Sequence, residues 1–232
     1  MNKIFKHIAL GVALSVAFVS CDDEREVPTT GIGGYAYLSE TSISSFDENA
    51  NLDIKLITKD GVTFNSIEVS TETASEMATI ASDELATVNT AFLGTLSEDA
   101  YEVFISSELS NGKMAGDYFT ISVDNPISIS EDNLAEATLD TLPNVEVAYE
   151  LFTNTASIDD VMLSLKKNSD GIYADSGATG LSTVDGGSVL LSDTNYQALN
   201  LVVNDTLYYK FTATSGSLSA DAEGQMVIIE ED

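Results

Sequence analysis

From about Gly31 onward the chain alternates apolar and polar positions with a period of two. Leu52, Ile54 and Leu56 alternate with Asp53 and Lys55. Tyr101, Val103 and Ile105 fall on one face, and Phe119, Ile121 and Val123 alternate with Thr120 and Ser122. The pattern returns at Val145, Val147, Tyr149 and Leu151, at Val161, Leu163 and Leu165, and at Leu207, Tyr209, Phe211 and Ala213. Successive side chains of a strand point to opposite faces, so these runs predict half-buried antiparallel strands. Between them, Lys59-Asp60-Gly61, Ser110-Asn111-Gly112 and Ser169-Asp170-Gly171 place Gly after Asp or Asn, the chemistry of a chain reversal. The pattern is weakest over 75–96, 131–142 and 193–200. In the last of these, Ser192 or Asp193 is placed to cap a short helical turn carrying Tyr196 and Leu199.

The run Ser97-Glu98-Asp99-Ala100-Tyr101-Glu102-Val103-Phe104-Ile105 aligns with Val203-Asn204-Asp205-Thr206-Leu207-Tyr208-Tyr209-Lys210-Phe211. Each leads through a polar turn into a last strand, as in a diverged repeat. Pro126 follows the strands of the first half and Pro143 precedes a main strand of the second. The expectation is an all-β chain of two tandem sandwiches, spanning 31–125 and 126–232. The inferred unit resembles immunoglobulin-like or fibronectin-III-like antiparallel domains, without the Cys-Trp-Cys core of antibody domains.

The start of the chain is different. Lys3 and Lys6 precede an apolar run from Ile8 to Val19, shorter than the ~20 residues that span a bilayer. This is the pattern of a secretory signal over 1–20. Phe18-Val19-Ser20-Cys21 closes it, and Cys21 is the only cysteine. The stretch resembles a bacterial lipobox, with Phe18 in place of the usual Leu. That resemblance implies a lipidated Cys21 as the mature N-terminus, anchored to a membrane by its acyl chains. Residues 21–30 then read as a flexible tether. Asp22-Asp23-Glu24 follow the cysteine. An Asp here retains some lipoproteins in the inner membrane. In Bacteroidetes, acids at this place resemble a signal for export to the outer face of the outer membrane, which is the expectation here.

Composition narrows the chemistry. The chain has 9 Lys+Arg against 38 Asp+Glu, a net charge of −29. Losing Lys3 and Lys6 with the signal makes it more negative. Such a surface repels phosphate, so nucleic acid is excluded as a partner. His7 is the only histidine and lies in the signal, and there is no Trp. The folded part therefore has no imidazole or free thiol for Ser-His-Asp or Cys-His catalysis or for His-based zinc sites, and no disulfide.

Three constellations remain. Tyr173, Tyr196, Tyr208 and Phe104 fall outside the core pattern and are candidate ligand-binding aromatics, since sugar rings stack on exposed aromatic faces. Asp159-Asp160, Asp170, Asp175 and Asp185, with Asp47, Glu48 and Asp83-Glu84, collect in loops. Ca²⁺ takes six to eight oxygens, but no calcium-loop motif is present and solvated turns account for these acids. With so many acids, a pair at glycosidase spacing arises by chance and does not by itself indicate an enzyme. No metal or cofactor is expected beyond the lipid.

Gly33-Gly34-Tyr35-Ala36-Tyr37-Leu38, then Ser45-Phe46-Asp47 and an alternating strand, are similar to the start of SusE-like surface lipoproteins of Bacteroidetes. That resemblance, with the lipobox and tandem sandwiches, implies a non-enzymatic outer-membrane lipoprotein. It would serve as an accessory subunit of a TonB-dependent uptake system, beside SusC/SusD-type importers, binding a glycan or other nutrient; the negative charge of the chain favours a neutral ligand. The alternative is an adhesion or envelope-assembly scaffold that binds another protein.

Overall fold

The structure is a computed structural model that describes residues 31–96 and 99–231. The predicted signal, Cys21 and the acidic triplet lie outside the described residues. Among the described residues, nine strands come from the first half: β1 (Gly34–Leu38), β2 (Ser42–Ser44), β3 (Asn51–Thr58), β4 (Phe64–Ser70), β5 (Ser75–Met77), β6 (Thr79–Ile80), β7 (Leu85–Asn89), β8 (Ala100–Leu109) and β9 (Met114–Asp124). Eight follow: β10 (Ile127–Ile129), β11 (Glu136–Thr138), β12 (Glu146–Leu151), β13 (Asp160–Lys167), β14 (Ala174–Asp175), β15 (Gly186–Leu190), β16 (Thr206–Ser215) and β17 (Leu218–Ile229).

They form four sheets, ordered β1-β3-β7-β6, β2-β9-β8-β4-β5, β10-β12-β15 and β11-β17-β16-β13-β14. Pairing is antiparallel except where β2 runs parallel to β9 and β11 parallel to β17. In each half the first strand pairs in one sheet and the next short strand crosses to the other. The chain is thus two immunoglobulin-like antiparallel sandwiches in tandem.

The alternation read from sequence supplies most of both cores, and β4 and β17 add Ile67, Val69, Met226 and Ile228. Leu52, Ile54, Ile67, Val69, Val103, Ile105 and Ile121 meet between the first pair of sheets. Val147, Tyr149, Val161, Leu163, Leu207, Tyr209, Phe211, Met226 and Ile228 fill the second. Tyr209 lies opposite Gly224 in the β16–β17 register, and a Cβ at Gly224 would come within 2.3 Å of its ring. The missing side chain is what lets that phenol lie flat within the core.

The weakly patterned stretches are not featureless. Residues 75–96 carry β5, β6, β7 and a 3-10 turn at Thr90–Leu93. The helical turn expected near Ser192 and Asp193 forms differently. Leu191–Asp193 and Tyr196–Leu199 are separate 3-10 turns, and the residue before the second is Asn195, whose side chain makes no cap. Two prospective caps thus fall inside the first turn, because Leu191 is drawn into the core and fixes the register.

Phe46 and Asp47 join the halves. Phe46 follows β2, yet it is buried in the second core. Asp47 Oδ2 accepts from the N–H groups of Ser44 and Asn154, each at 3.0 Å. Its Oδ1 accepts from Thr155 N (2.9 Å), Thr155 Oγ1 (3.2 Å) and Ala156 N (2.8 Å). Burial by itself would raise the pKa of this carboxyl, but the four backbone N–H bonds outweigh it and hold the pKa below the usual value. Asn154 Nδ2 reaches Glu40 Oε2 at 3.3 Å, and Asn125 Nδ2 donates to the carbonyl of Asp221 at 2.9 Å.

Candidate functional site

The outer face of the β13–β16–β17 sheet brings aromatic and charged groups together. Register puts Lys166 opposite Tyr208, Lys210 opposite Glu223 and Thr212 opposite Asp221. Lys166 Nζ lies 4.4 Å from the centre of the Tyr173 ring and 4.9 Å from that of Tyr208. Lys210 Nζ is 5.1 Å from the Tyr173 ring and 2.9 Å from Asp221 Oδ2. These are cation–π separations. Tyr173 and Tyr208 are therefore brought together, but with ammonium groups over their faces. The Tyr173 hydroxyl is shielded from water and, among the described residues, has no partner at normal hydrogen-bond geometry. Its burial first, and then the neighbouring Glu223 carboxylate, raise its pKa well above the usual phenol range.

Phe104 stands on the other half, on the outer face of β8. Its cross-strand neighbour is Tyr118, with ring centres 4.8 Å apart and planes inclined at 44°. Tyr118 is 64% exposed, so this pair offers an open aromatic surface. Beside it Gly116 is bare, and a Cβ there would come within 2.5 Å of the Phe104 ring. Met114 lies on the same face, together with Glu102 and Glu108. Tyr118 is not among the aromatics that the sequence singles out above, although the sequence carries a signal for it. A reversal centred on Asn111 pairs 104 with 118, and the alternation of Phe119, Ile121 and Val123 turns Tyr118 outward.

Tyr196 sits in its 3-10 turn and packs on the second core. The four candidate aromatics thus lie at three places rather than one. The described surface carries shallow depressions. The one lined by Leu56, Lys59, Val62, Phe64 and Ile80 holds about 280 Å³ and the one lined by Tyr37, Lys55, Ile57 and Glu84 about 450 Å³, in the lower part of the range for ligand pockets.

The acidic loops are tied into local structure. Asp159 Oδ2 accepts from Gly216 N at 2.6 Å, and Asp175 Oδ1 from Gly177 N at 2.8 Å. Asp205 accepts from Lys167 Nζ at 2.6 Å, Val202 N at 2.7 Å and Asn168 Nδ2 at 3.0 Å. The Lys167 bond, then those from Val202 and Asn168, hold its pKa down at about 2. Among the described residues no group of three or more His, Cys, Asp or Glu is placed to hold a metal ion. Nor is any described helix long and apolar enough to cross a membrane.

No protein-family model matches the chain, and no curated protein matches it in sequence. Solved structures resembling it include fibronectin(III)-like modules of CbhA from Clostridium thermocellum, at 8% identity, covering 85% of this chain and 98% of that one, TM-score 0.27. A tetra-tandem repeat from the extending region of a large adhesion protein shares 16% identity over 84% of this chain and 49% of its own, TM-score 0.29. Titin domains z1z2 in complex with telethonin share 11%, covering 85% and 98%, TM-score 0.28. Similarity at this level carries no argument about activity; the fold rests on the strand pairing itself.

Proposed function

We propose that the chain is a non-enzymatic envelope module, held at the outer membrane surface by a lipid on Cys21, whose two end-to-end sandwiches engage another protein in adhesion or assembly. The observation that supports this best is the joint. A scaffold must hold its faces at a fixed mutual orientation, and a buried Phe46 with a five-fold hydrogen-bonded Asp47 provides that. Chemical cross-linking of intact cells should recover one defined protein partner in stoichiometric amount, with the lipid-free chain silent in calorimetry against neutral oligosaccharides. Recovery of no partner would end this reading.

The exposed Phe104–Tyr118 pair favours a second reading, the accessory subunit of a TonB-dependent, SusC/SusD-type uptake system that captures a neutral glycan. Calorimetric binding that disappears in both Phe104→Ala and Tyr118→Ala would establish it. Binding unaffected by these changes but lost in Tyr173→Ala would move the site to the second half.

The address is tested separately. Cys21→Ser should release the protein from membranes. Replacing Asp22, Asp23 and Glu24 with Ala should protect the folded domains from protease added to intact cells. Retention of the Cys21→Ser protein in the membrane fraction, or equal cleavage of the triplet variant, counts against the anchor and the export signal respectively.

A further inference from the structure

In the first half, β7 is flanked on both sides, by β3 and by β6, which pairs through Thr79 with Thr87 and Ile80 with Ala86. Its counterpart in the second half, β15, pairs with β12 alone, and the sheet β10-β12-β15 ends there. The bonds Leu191 N to Val145 O (2.9 Å) and Leu151 N to Asp185 O (3.4 Å) fix which register pairs bond across the two strands. Alternation by twos places Val147 with Val189 and Tyr149 with Gly187 in that same class. The N–H and C=O groups of Gly186, Ser188 and Leu190 consequently point away from β12. The N–H groups of all three and the C=O groups of Gly186 and Ser188 meet no hydrogen-bond partner among the described residues, while the Leu190 C=O opens the 3-10 turn Leu191–Asp193.

The segment that leads into β15 is tied down elsewhere. Ser176 N donates to Leu163 O at 3.0 Å and Ser176 O accepts from Asn195 N at 2.7 Å. The Tyr149 hydroxyl donates to Ser182 O at 2.7 Å, and Ala178 and Leu181 pack on the core. This segment closes the side of the sandwich without pairing with the strand. Open edges in soluble proteins are usually defended by charge, proline or a bulge. Gly186-Gly187-Ser188-Val189-Leu190 has no proline and no charged side chain.

We infer that the β15 edge is a docking site for an extended, basic segment of a partner protein, which adds as a fourth strand in the place that β6 occupies in the first half. This rests on the protein-partner reading above and names the site and chemistry of that partner. Strand addition takes its affinity from main-chain hydrogen bonds, and its selectivity from side chains. The selectivity here is set by acids. Glu146 and Glu150 are exposed and lie opposite Leu190 and Gly186, on the same outer face, and Asp185 and Asp193 flank the strand. An incoming strand with Lys or Arg at alternate positions meets this face. A second copy of the chain, with its net charge of −29, would set these acids against their twins.

The test uses the full chain in detergent micelles and a capped nine-residue peptide of alternating Lys and Val. Hydrogen exchange should show new protection at the amides of Gly186, Ser188 and Leu190. Ser188→Pro removes an N–H aimed at open solvent, which an edge strand tolerates, and should weaken binding about tenfold or more, whereas Ser188→Ala should not. Glu146→Gln with Glu150→Gln should weaken it several-fold and flatten its salt dependence. The same peptide N-methylated at alternate residues should not bind, which keeps the test decisive if Ser188→Pro misfolds. No added protection at the three amides, or equal binding of the N-methylated peptide, overturns the inference. So does a concentration-dependent dimer of the chain that Ser188→Pro abolishes. If Ser188→Pro, folded, still cross-links its partner on cells at the wild-type level, the partner reading stands and the edge inference falls. If peptide protection is seen but no cellular partner is recovered, the edge inference stands and the partner reading falls.

Discussion

At the scale of single residues, polar groups in this chain do structural work that hydrophobicity patterns do not reveal. Asp205 gathers Lys167, Asn168 and the Val202 amide at the turn into β16, and Asn168 Oδ1 in turn accepts from Thr206 N at 2.8 Å. Its pKa of about 2 lies below the ordinary 3.8. A carboxyl depressed by folding stabilises the folded state wherever the unfolded chain would also be ionised, and loses that contribution as pH falls through the folded pKa. Asp205→Asn should therefore melt lower than the wild type at pH 7 by an amount that is constant down to about pH 5. The gap should narrow between about pH 4 and pH 2. Paired thermal melts across that range measure it, and a gap that widens on acidification would show that the carboxylate is not the stabilising form.

At the scale of elements, the strands were legible because each long one buries one face. β3, β8, β12, β13 and β16 follow the two-residue period directly, with cores at Leu52, Val103, Val147, Leu163 and Phe211. β5 and β6 were not legible because both lie wholly exposed, so no alternation marks them. Phe104 and Tyr208 lie off the core faces of β8 and β16, as the alternation implies, but sequence spacing could not say that Lys166 covers Tyr208 and Tyr173 or that Tyr118 joins Phe104. Those facts depend on cross-strand register, which only the hairpin at Asn111 announced in advance. Register also explains Gly224. Gly224→Ala forces the Tyr209 ring out of its place and should cost about 1–3 kcal/mol, whereas Gly216→Ala, at a turn with open space around it, pays only the backbone cost of its positive φ of 58°. Chemical denaturation of the two variants should rank them in that order. Equal loss would mean that the β17 backbone shifts to absorb the new methyl group.

At the scale of the whole molecule, the decisive question is whether two sandwiches behave as two bodies or one. The alternation of the strands fills each half with its own core, and the sequence suggests nothing else. Phe46 breaks that partition, because a residue from the loop after β2 completes the apolar cluster of the second half. Asp47 beside it satisfies the N–H groups of Asn154, Thr155 and Ala156 in the loop between β12 and β13. Removing the carboxylate strands the buried Ser44 N–H, at about 1–3 kcal/mol, and frees the part-buried N–H groups of Asn154, Thr155 and Ala156, which water can reach at lower cost. Phe46→Ala removes a buried ring, a change that costs about 3–5 kcal/mol in a packed core. These losses fall on the second half and on its attachment to the first, not on the first core. Calorimetry of the wild-type chain should thus show one cooperative transition. Asp47→Ala and Phe46→Ala should each split it, with the lower-melting component belonging to the second half. Hydrogen exchange should assign that component by early loss of protection in β12 and β13 while β3 and β8 stay protected. A single transition lowered as a unit in both variants would show that the halves remain coupled by other contacts, such as the bond from Asn125 to Asp221. Two transitions already present in the wild type would remove the joint as the basis for a fixed scaffold. The Phe104–Tyr118 face would then be the better guide to what the protein holds.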